Sequence, residues 1–183
     1  MKLAEVAWLQ LIQFADRKDL PVGKEQLIIS IQQQKLYLYQ KGLCTQQYPV
    51  STSKYGQGQQ SGSYQTPIGV HCISEKIGAG APINSIFKAR QLTGQCAVIN
   101  TSKVDSENQP DVITSRIMWL KGIEPGLNAG GVVDSKQRYI YIHGTADEAQ
   151  IGTPASIGCI RMLNKDVINL FEQANEGTLV NIF

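Results

Sequence analysis

Apolar and polar positions along the chain predict mostly strands, with one helix near each end. In residues 2–16 the apolar side chains recur at helical spacing, which predicts an amphipathic helix packed on the rest of the domain. Its expected apolar face comprises Leu3, Val6, Ala7, Leu11 and Phe14, widened by Leu9 and Ile12. A second helix is predicted to begin at Asn164 as its N-cap and to be closed by Gly177.

Short runs rich in β-branched, aromatic and leucine residues predict the strands. The predicted strands are 27–31, 35–39, 43–50, 70–73, 95–100, 113–120, 139–142 and 178–183. The first two are separated by a short polar turn, which predicts a hairpin. Residues 83–90 are expected to form a turn of helix at most.

Polar and glycine-rich stretches predict the loops. Residues 51–63 are rich in glycine, serine and glutamine and are interpreted as a surface loop. Pro67 and Gly69 predict a turn that directs the next strand. Residues 102–111 are polar and predict another loop. The glycine-rich loop at 122–131 has no phosphate-binding pattern.

These elements predict a mainly-β fold: a single β-sandwich or barrel-like domain with an N-terminal helix and a helix near the C-terminus. Strands and helices do not alternate, and no repeat is present. A chain of 183 residues is long enough for one core and short for two. We divide it into an N-terminal helix and connector (1–24) and a main domain (25–183).

Composition and charge restrict the class of protein. A net charge of +2 and the lack of a basic run argue against a nucleic-acid partner. The four cysteines form no Cys-x-x-Cys pair, and no histidine lies at zinc-ligand spacing, so neither a metal nor another cofactor is predicted. The simplest interpretation is four thiols in a reducing compartment.

The first sixteen residues bear on localisation. Glu5, Gln10 and Gln13 interrupt the apolar run, which therefore resembles neither a signal peptide nor an integral membrane segment. This predicts a cytoplasmic protein, or a periplasmic or otherwise extracytoplasmic one if a signal segment has been removed.

Candidate chemistry concentrates in residues 142–162. His143 follows a run of four β-forming residues, and Gly144 comes next, which predicts that the strand stops where it presents the imidazole. Cys159 follows a loop marked by Gly152 and Pro154. A thiolate that attacks a carbonyl, with an imidazole as base and then acid, is nucleophilic catalysis. Gly158 allows a carbonyl to approach, and N–H groups there suit an oxyanion.

The frame H-G-T…S-x-G-C-I-R-M strongly resembles the L,D-transpeptidase (YkuD) family of bacterial cell-wall enzymes. Two further stretches support the resemblance, I-x-x-Q-Q-K-L-Y-L-Y followed by Y-P-V-S-T-S, and T-P-x-G. It extends from about Gln26 to Phe183 and implies a β-sandwich catalytic domain over 25–183. It also implies that Cys159 is the nucleophile and His143 the base.

The resemblance implies supporting roles for other residues. The Gly144 carbonyl would orient the imidazole, and the backbone at Ile157 and Gly158 would contribute to the oxyanion site. Ser156 would brace the turn. Arg161 is expected to order the loop or to meet a substrate carboxylate.

Three further residues are weaker candidates. Asn128 either contacts substrate or is a turn residue. His71 lies in a predicted strand and is expected either to be structural or to face the cleft. Ile157 stands where many family members carry His, Arg or Lys, which questions the specificity more than the chemistry.

The implied substrate is a peptidoglycan stem tetrapeptide or muropeptide, which loses its terminal D-alanine to form a thioester. An amine acceptor would make the enzyme an L,D-transpeptidase, and water would make it an L,D-carboxypeptidase of cell-wall recycling. Inhibition by β-lactams of the carbapenem type is a family expectation. The remaining alternative is an inactive module that binds peptidoglycan or a partner.

Overall fold

The computed structural model describes residues 2–102 and 112–183. The helices are α1 (Leu3–Arg17) and α2 (Asn164–Gln173). The strands are β1 (Glu25–Ser30), β2 (Lys35–Gln40), β3 (Leu43–Ser51), β4 (Gly69–Ile77), β5 (Ser85–Lys88), β6 (Gln91–Cys96), β7 (Ile113–Gly122), β8 (Tyr141–Thr145), β9 (Ile160–Met162) and β10 (Leu179–Ile182).

The strands form one sheet that closes on itself, so the predicted mainly-β, barrel-like class is confirmed. The order of the described strands is β4-β10-β1-β2-β3-β9-β8-β7, and β7 also pairs with β4 to complete the ring. The β5–β6 hairpin is attached to β7 at its N-terminal end. Within this ring of eight strands, closure removes the free edges that otherwise invite pairing with other chains.

The main core lies on the face of the sheet that we call the inner face. It includes Leu38, Met118, Ile142 and Ile160, all fully buried, together with the apolar side of α2. Because successive side chains of a strand point to opposite faces, the neighbours of these residues point outward. This alternation places the candidate chemistry on the outer face.

Helix α1 packs on another part of the outer face, against β1 and β10, as predicted. The buried side of the helix differs from the expected one. It is formed by three alanines, Ala4, Ala7 and Ala15, together with Leu11, whereas Leu3 and Leu9 are exposed. Small side chains allow close approach of helix and sheet, and the stacking of Trp8 on Tyr39 at 5.4 Å between ring centroids fills the edge.

In the described parts of the chain, neither helix is long and apolar enough to cross a lipid bilayer.

The region after β4 was predicted least well. Residues 83–90 are not a turn of helix, because Ser85–Lys88 is a strand that pairs with β6 and β7. The strand predicted at 95–100 lies earlier, at Gln91–Cys96. Every residue of that strand is exposed, so it carries no apolar alternation for a pattern to detect. The loop predicted at 102–111 falls, from residue 103 onward, outside the described residues.

Helix α2 ends earlier than predicted. Its last residue is Gln173, and Gly177 belongs to the turn before β10. Asn164 is the first residue of the helix rather than its N-cap, which is Leu163. The Asn164 amide instead donates to the Thr145 carbonyl and to the Glu148 carboxylate. Tertiary partners have therefore replaced the local cap.

Candidate active site

His143 and Cys159 lie on the same face of the sheet because of the register between β8 and β9. These strands are parallel, with Ile142 opposite Ile160 and His143 opposite Arg161. Ile142 and Ile160 both point into the inner core. His143 therefore points outward. Cys159 immediately precedes β9 at the level of Tyr141, two positions from His143 along the ladder, and packs against the outward-facing cluster that contains Tyr141.

The imidazole of His143 is oriented by the residue that follows it. Its Nδ1 lies 2.7 Å from the Gly144 carbonyl oxygen, so the contact expected from the sequence is present. A carbonyl only accepts hydrogen bonds, so Nδ1 carries the proton and Nε2 presents its lone pair. His143 is 1% exposed. Strand β8 continues to Thr145, so the prediction that it stops at the imidazole is wrong.

Gly144 is required by close packing. A Cβ at this position would lie 2.6 Å from Asn164 Oδ1 and 2.7 Å from the Thr114 carbonyl oxygen. Asn164 Oδ1 also accepts hydrogen bonds from the Thr114 and Ser115 hydroxyls, so it has little freedom to move. The carbonyl that orients His143 is thus fixed by buried neighbours.

The Cys159 sulfur contacts the turn that leads into β8. The Tyr141 N–H donates to Sγ at 3.4 Å. The thiol in turn donates to the Tyr139 carbonyl oxygen, also at 3.4 Å. The side chain is partly exposed and packs beside a buried cluster that includes Trp119 and Tyr141. Part of the sulfur surface is therefore accessible from solvent.

Ser156 braces the turn before Cys159. Its hydroxyl donates to the Cys159 carbonyl at 2.6 Å and accepts from the Gly158 N–H at 3.2 Å. Gly158 has φ 131°, a conformation that favours glycine. Because the Gly158 N–H already has an acceptor, it must share or exchange that bond if it is to hold an oxyanion. The oxyanion role of residues 157–159 stays a prediction.

Residues 52–66 take part in the site, which the interpretation as a surface loop did not anticipate. Thr66 is fully buried, and its hydroxyl donates to the Gly158 carbonyl at 3.0 Å. The Thr66 hydroxyl oxygen also accepts a hydrogen bond from the Ser53 N–H at 2.9 Å. Thr66 begins the T-P-x-G motif, so the sequence signal was present but was interpreted as a turn only.

Arg138 is a second residue that sequence reasoning missed. Its Nη1 donates to the carbonyls of Gly58 and Gln59, and its Nη2 donates to the Gln65 carbonyl at 2.6 Å. Burial lowers the pKa of the Arg138 guanidinium, and the nearby sulfur of Cys159 acts in the opposite direction. Arg138 therefore holds the 58–65 segment near Cys159 and brings a positive charge close to its sulfur.

Arg161 and Asn128 are both buried. The side chain of Arg161 lies on the outer face of the sheet, opposite His143, and its Nη2 is 3.4 Å from Ser51 Oγ. Asn128 is 0% exposed. Its amide donates to the carbonyls of Ile68 and Val70 at 3.1 Å each, and its oxygen accepts from the Glu124 N–H. These contacts order the 124–128 loop against the start of β4.

His71 is a buried structural histidine in β4. Its Nδ1 lies 3.0 Å from the Gly69 carbonyl oxygen, and its Nε2 lies 2.9 Å from Ser135 Oγ. Burial lowers its pKa to about 4. The ring is therefore neutral at physiological pH.

The Ile157 side chain is 50% exposed and lies two residues before Cys159 in the sequence.

Comparison with known proteins agrees with this fold. The model of the L,D-transpeptidase catalytic domain (YkuD) matches residues 24–182. The chain belongs to this family. "Probable L,D-transpeptidase YcfS" of Escherichia coli is 27% identical over 165 residues, which cover 87% of this chain and 44% of that protein.

Two other similarities extend the comparison. "Putative L,D-transpeptidase YkuD" of Bacillus subtilis is 56% identical over 48 residues, covering 26% of this chain and 29% of that protein. The chain thus spans less than half the length of these two relatives. The structure of the L,D-transpeptidase LdtMt1 in complex with imipenem superposes with a TM-score of 0.52 at 15% identity, over 87% of this chain and 59% of that one. At this identity the superposition shows the fold alone.

Proposed function

We propose that this protein is a cysteine acyl-transfer enzyme that acts on peptidoglycan stem tetrapeptides. Membership of the family supports an enzyme that acts on peptidoglycan. The observation that carries the finer proposal is the shared outward face of His143 and Cys159, given by the register of β8 and β9. The Nδ1 contact with Gly144 supports it by directing the lone pair of the imidazole away from the strand.

In the first half-reaction, Nε2 of His143 takes the proton of the Cys159 thiol, and Sγ attacks the carbonyl carbon of the third residue of the stem. The resulting oxyanion is held by N–H groups of residues 157–159. The imidazolium then gives its proton to the nitrogen of D-alanine, the C–N bond breaks, and D-alanine leaves. A thioester of the tripeptide remains on Cys159.

In the second half-reaction, an acceptor attacks the thioester and Sγ leaves as the thiolate. His143 removes the acceptor's proton and returns it to the sulfur. An amine of a second stem gives a cross-linked product, and water gives the free tripeptide. Cys159 and His143 act in the same way in both cases, so the acceptor decides between transpeptidase and carboxypeptidase.

Mass spectrometry of a disaccharide-tetrapeptide incubated with the enzyme tests the proposal. The expected product is tripeptide plus D-alanine, or a cross-linked dimer when a second stem is supplied. Cys159→Ala should abolish both products. Cys72→Ala, which removes another partly buried cysteine, should retain them. No turnover by the wild type with either acceptor contradicts the proposal.

A β-lactam provides an independent probe of the same thiol. Imipenem is the ligand in the LdtMt1 structure. We expect it to acylate this chain once, at Cys159, with the mass increase absent from Cys159→Ala and present in Cys72→Ala. An adduct that persists in Cys159→Ala would show that another group reacts.

A further inference from the structure

Arg90 is held at the tip of the β5–β6 hairpin. Ala89 and Arg90 have φ 48° and 67°, so this two-residue turn has positive φ at both central positions. Such turns match the twist of a hairpin and fix the direction of the two strands. Phe87, 5% exposed, anchors the hairpin in the buried cluster beside Cys159. Arg90 is therefore presented from a defined position.

The guanidinium of Arg90 lies over the aromatic side chains next to the nucleophile. Its carbon is 4.6 Å from the centroid of the Trp119 ring and 5.4 Å from that of Tyr139. Its Nη1 donates to the Tyr141 hydroxyl at 3.4 Å. Tyr139 and Tyr141 are the two residues whose backbone contacts Cys159 Sγ. Arg90 thus contacts the side chains of the two tyrosines whose backbone contacts the sulfur, although 69 positions separate Arg90 from Cys159 (159 − 90).

The charge of Arg90 is not neutralised by an ion pair within the part of the chain that the structure describes. The one ion pair found there joins Lys136 to Glu75 at 2.7 Å. A guanidinium stacked on aromatic rings still presents N–H groups along its edge. That planar fork matches the two oxygens of a carboxylate.

The expected substrate supplies carboxylates on both sides of the bond that breaks. A stem tetrapeptide ends in the carboxylate of D-alanine, and its third residue, when it is diaminopimelate, carries another on its side chain. Arg161 is less suited to bind either one, because it is only 4% exposed. Arg138 is committed to the carbonyls of residues 58–65. Of these three arginines, Arg90 is the one that is partly exposed and, among the described residues, donates to no backbone carbonyl.

We propose that Arg90 is a specificity-determining residue that binds a carboxylate of the donor peptide flanking the scissile bond. This assignment rests on the proposed function and adds the chemical group that the hairpin recognises. Arg90 takes no part in proton transfer. Its contribution is to hold the acidic peptide with the carbonyl carbon near Cys159, so its loss should act mainly on KM.

The test compares the acid and amide forms of the substrate. Wild type and Arg90→Met are assayed with a tetrapeptide whose carboxylates are all free, with its C-terminal amide, and with the side-chain amide of diaminopimelate. A charged hydrogen-bond pair corresponds to roughly a 10- to 100-fold effect. We expect kcat/KM of Arg90→Met to fall by about that factor for the free acid. The amide that removes the recognised carboxylate should be used equally well by both proteins.

Two further variants separate recognition from folding. Lys88→Met removes a charge from an exposed position of the same hairpin and should leave the acid-to-amide preference unchanged. Arg90→Lys keeps the charge and loses the fork, and should recover part of the preference. The unfolding temperature of each variant shows whether the hairpin still packs.

The outcomes distinguish this assignment from the proposed function. If the wild type turns over the tetrapeptide and Arg90→Met keeps the wild-type preference for the acid over both amides, the Arg90 assignment is overturned alone. If the wild type does not turn over the tetrapeptide and Cys159→Ala does not bind it in calorimetry, both are overturned. If Cys159→Ala binds the peptide, the same acid and amide comparison is made on its affinity.

Discussion

The hydroxyl of Thr66 lies 3.0 Å from the carbonyl oxygen of Gly158, although 92 positions separate the two residues in the sequence. The contact joins the loop before β4 to the residue that precedes the nucleophile. The threonine oxygen also accepts the Ser53 N–H, so one buried hydroxyl connects three segments. The turn that presents Cys159 is therefore supported from outside as well as by Ser156.

Replacing Thr66 by valine should weaken this support. The change keeps the shape but leaves the buried Ser53 N–H and Gly158 carbonyl without their partner, at a cost of about 1–3 kcal/mol for each unsatisfied group. We expect a lower free energy of unfolding in urea and slower acylation of Cys159 by imipenem. Thr66→Ser, which retains the hydroxyl, is the matched control. Equal behaviour of the valine and serine variants would contradict the prediction.

Gly144→Ala should impair the orientation of His143. The added Cβ meets Asn164 Oδ1 and the Thr114 carbonyl below 3.0 Å, so the backbone of β8 must shift. The Gly144 carbonyl then moves relative to Nδ1, and misplaced catalytic groups commonly cost about 100-fold in rate. Steady-state kinetics should show the loss mainly in kcat. Gly23→Ala adds the same atom where nothing lies within 4 Å, and should be silent.

Arg138→Met should loosen the segment that the guanidinium holds. Four hydrogen bonds from Nη1 and Nη2 to residues 58–65 are lost, among them the 2.6 Å bond to the Gln65 carbonyl. We expect faster amide hydrogen exchange in 58–65 and slower alkylation of Cys159 near neutral pH, because a nearby cation favours the thiolate. Arg17→Met, on the exposed side of α1, serves as control. Unchanged exchange would show that the segment is held by other contacts.

His71 should make the protein less stable as the pH falls. Burial lowers the pKa of His71 to about 4 in the folded protein, from the ordinary value of 6.5 that applies to the unfolded chain. The unfolded chain therefore takes up a proton below pH 6.5 that the folded chain refuses until about pH 4. The stability present above pH 6.5 is lost across this window, by about 3 kcal/mol in total at 1.36 kcal/mol per pKa unit.

Urea unfolding between pH 7 and 4 measures this loss. His71→Gln should have a lower stability at pH 7, because a packed ring is replaced, but a flatter dependence on pH. The slope, rather than the stability at one pH, is the informative quantity. A variant with the wild-type slope would assign the acid sensitivity to carboxyl groups instead.

The sequence by itself determined the class of the fold and the candidate residues for the chemistry. Short runs of β-branched, aromatic and leucine residues identified β1, β2, β3 and β7, because these side chains favour strands. The spacing of His143, Ser156, Gly158 and Cys159 is local, so a motif can contain all four. The Gly144 carbonyl follows from its adjacency to the histidine.

Only the tertiary structure decided what surrounds that motif. Strand β6 is exposed throughout, and β5 is short, so neither leaves a periodic signal, yet their turn places Arg90 over Trp119. Thr66 and Arg138 reach the nucleophile through contacts between segments distant in the chain. Such contacts depend on strand order and closure of the sheet, which no local pattern encodes, because the energy of packing is shared among residues far apart in sequence.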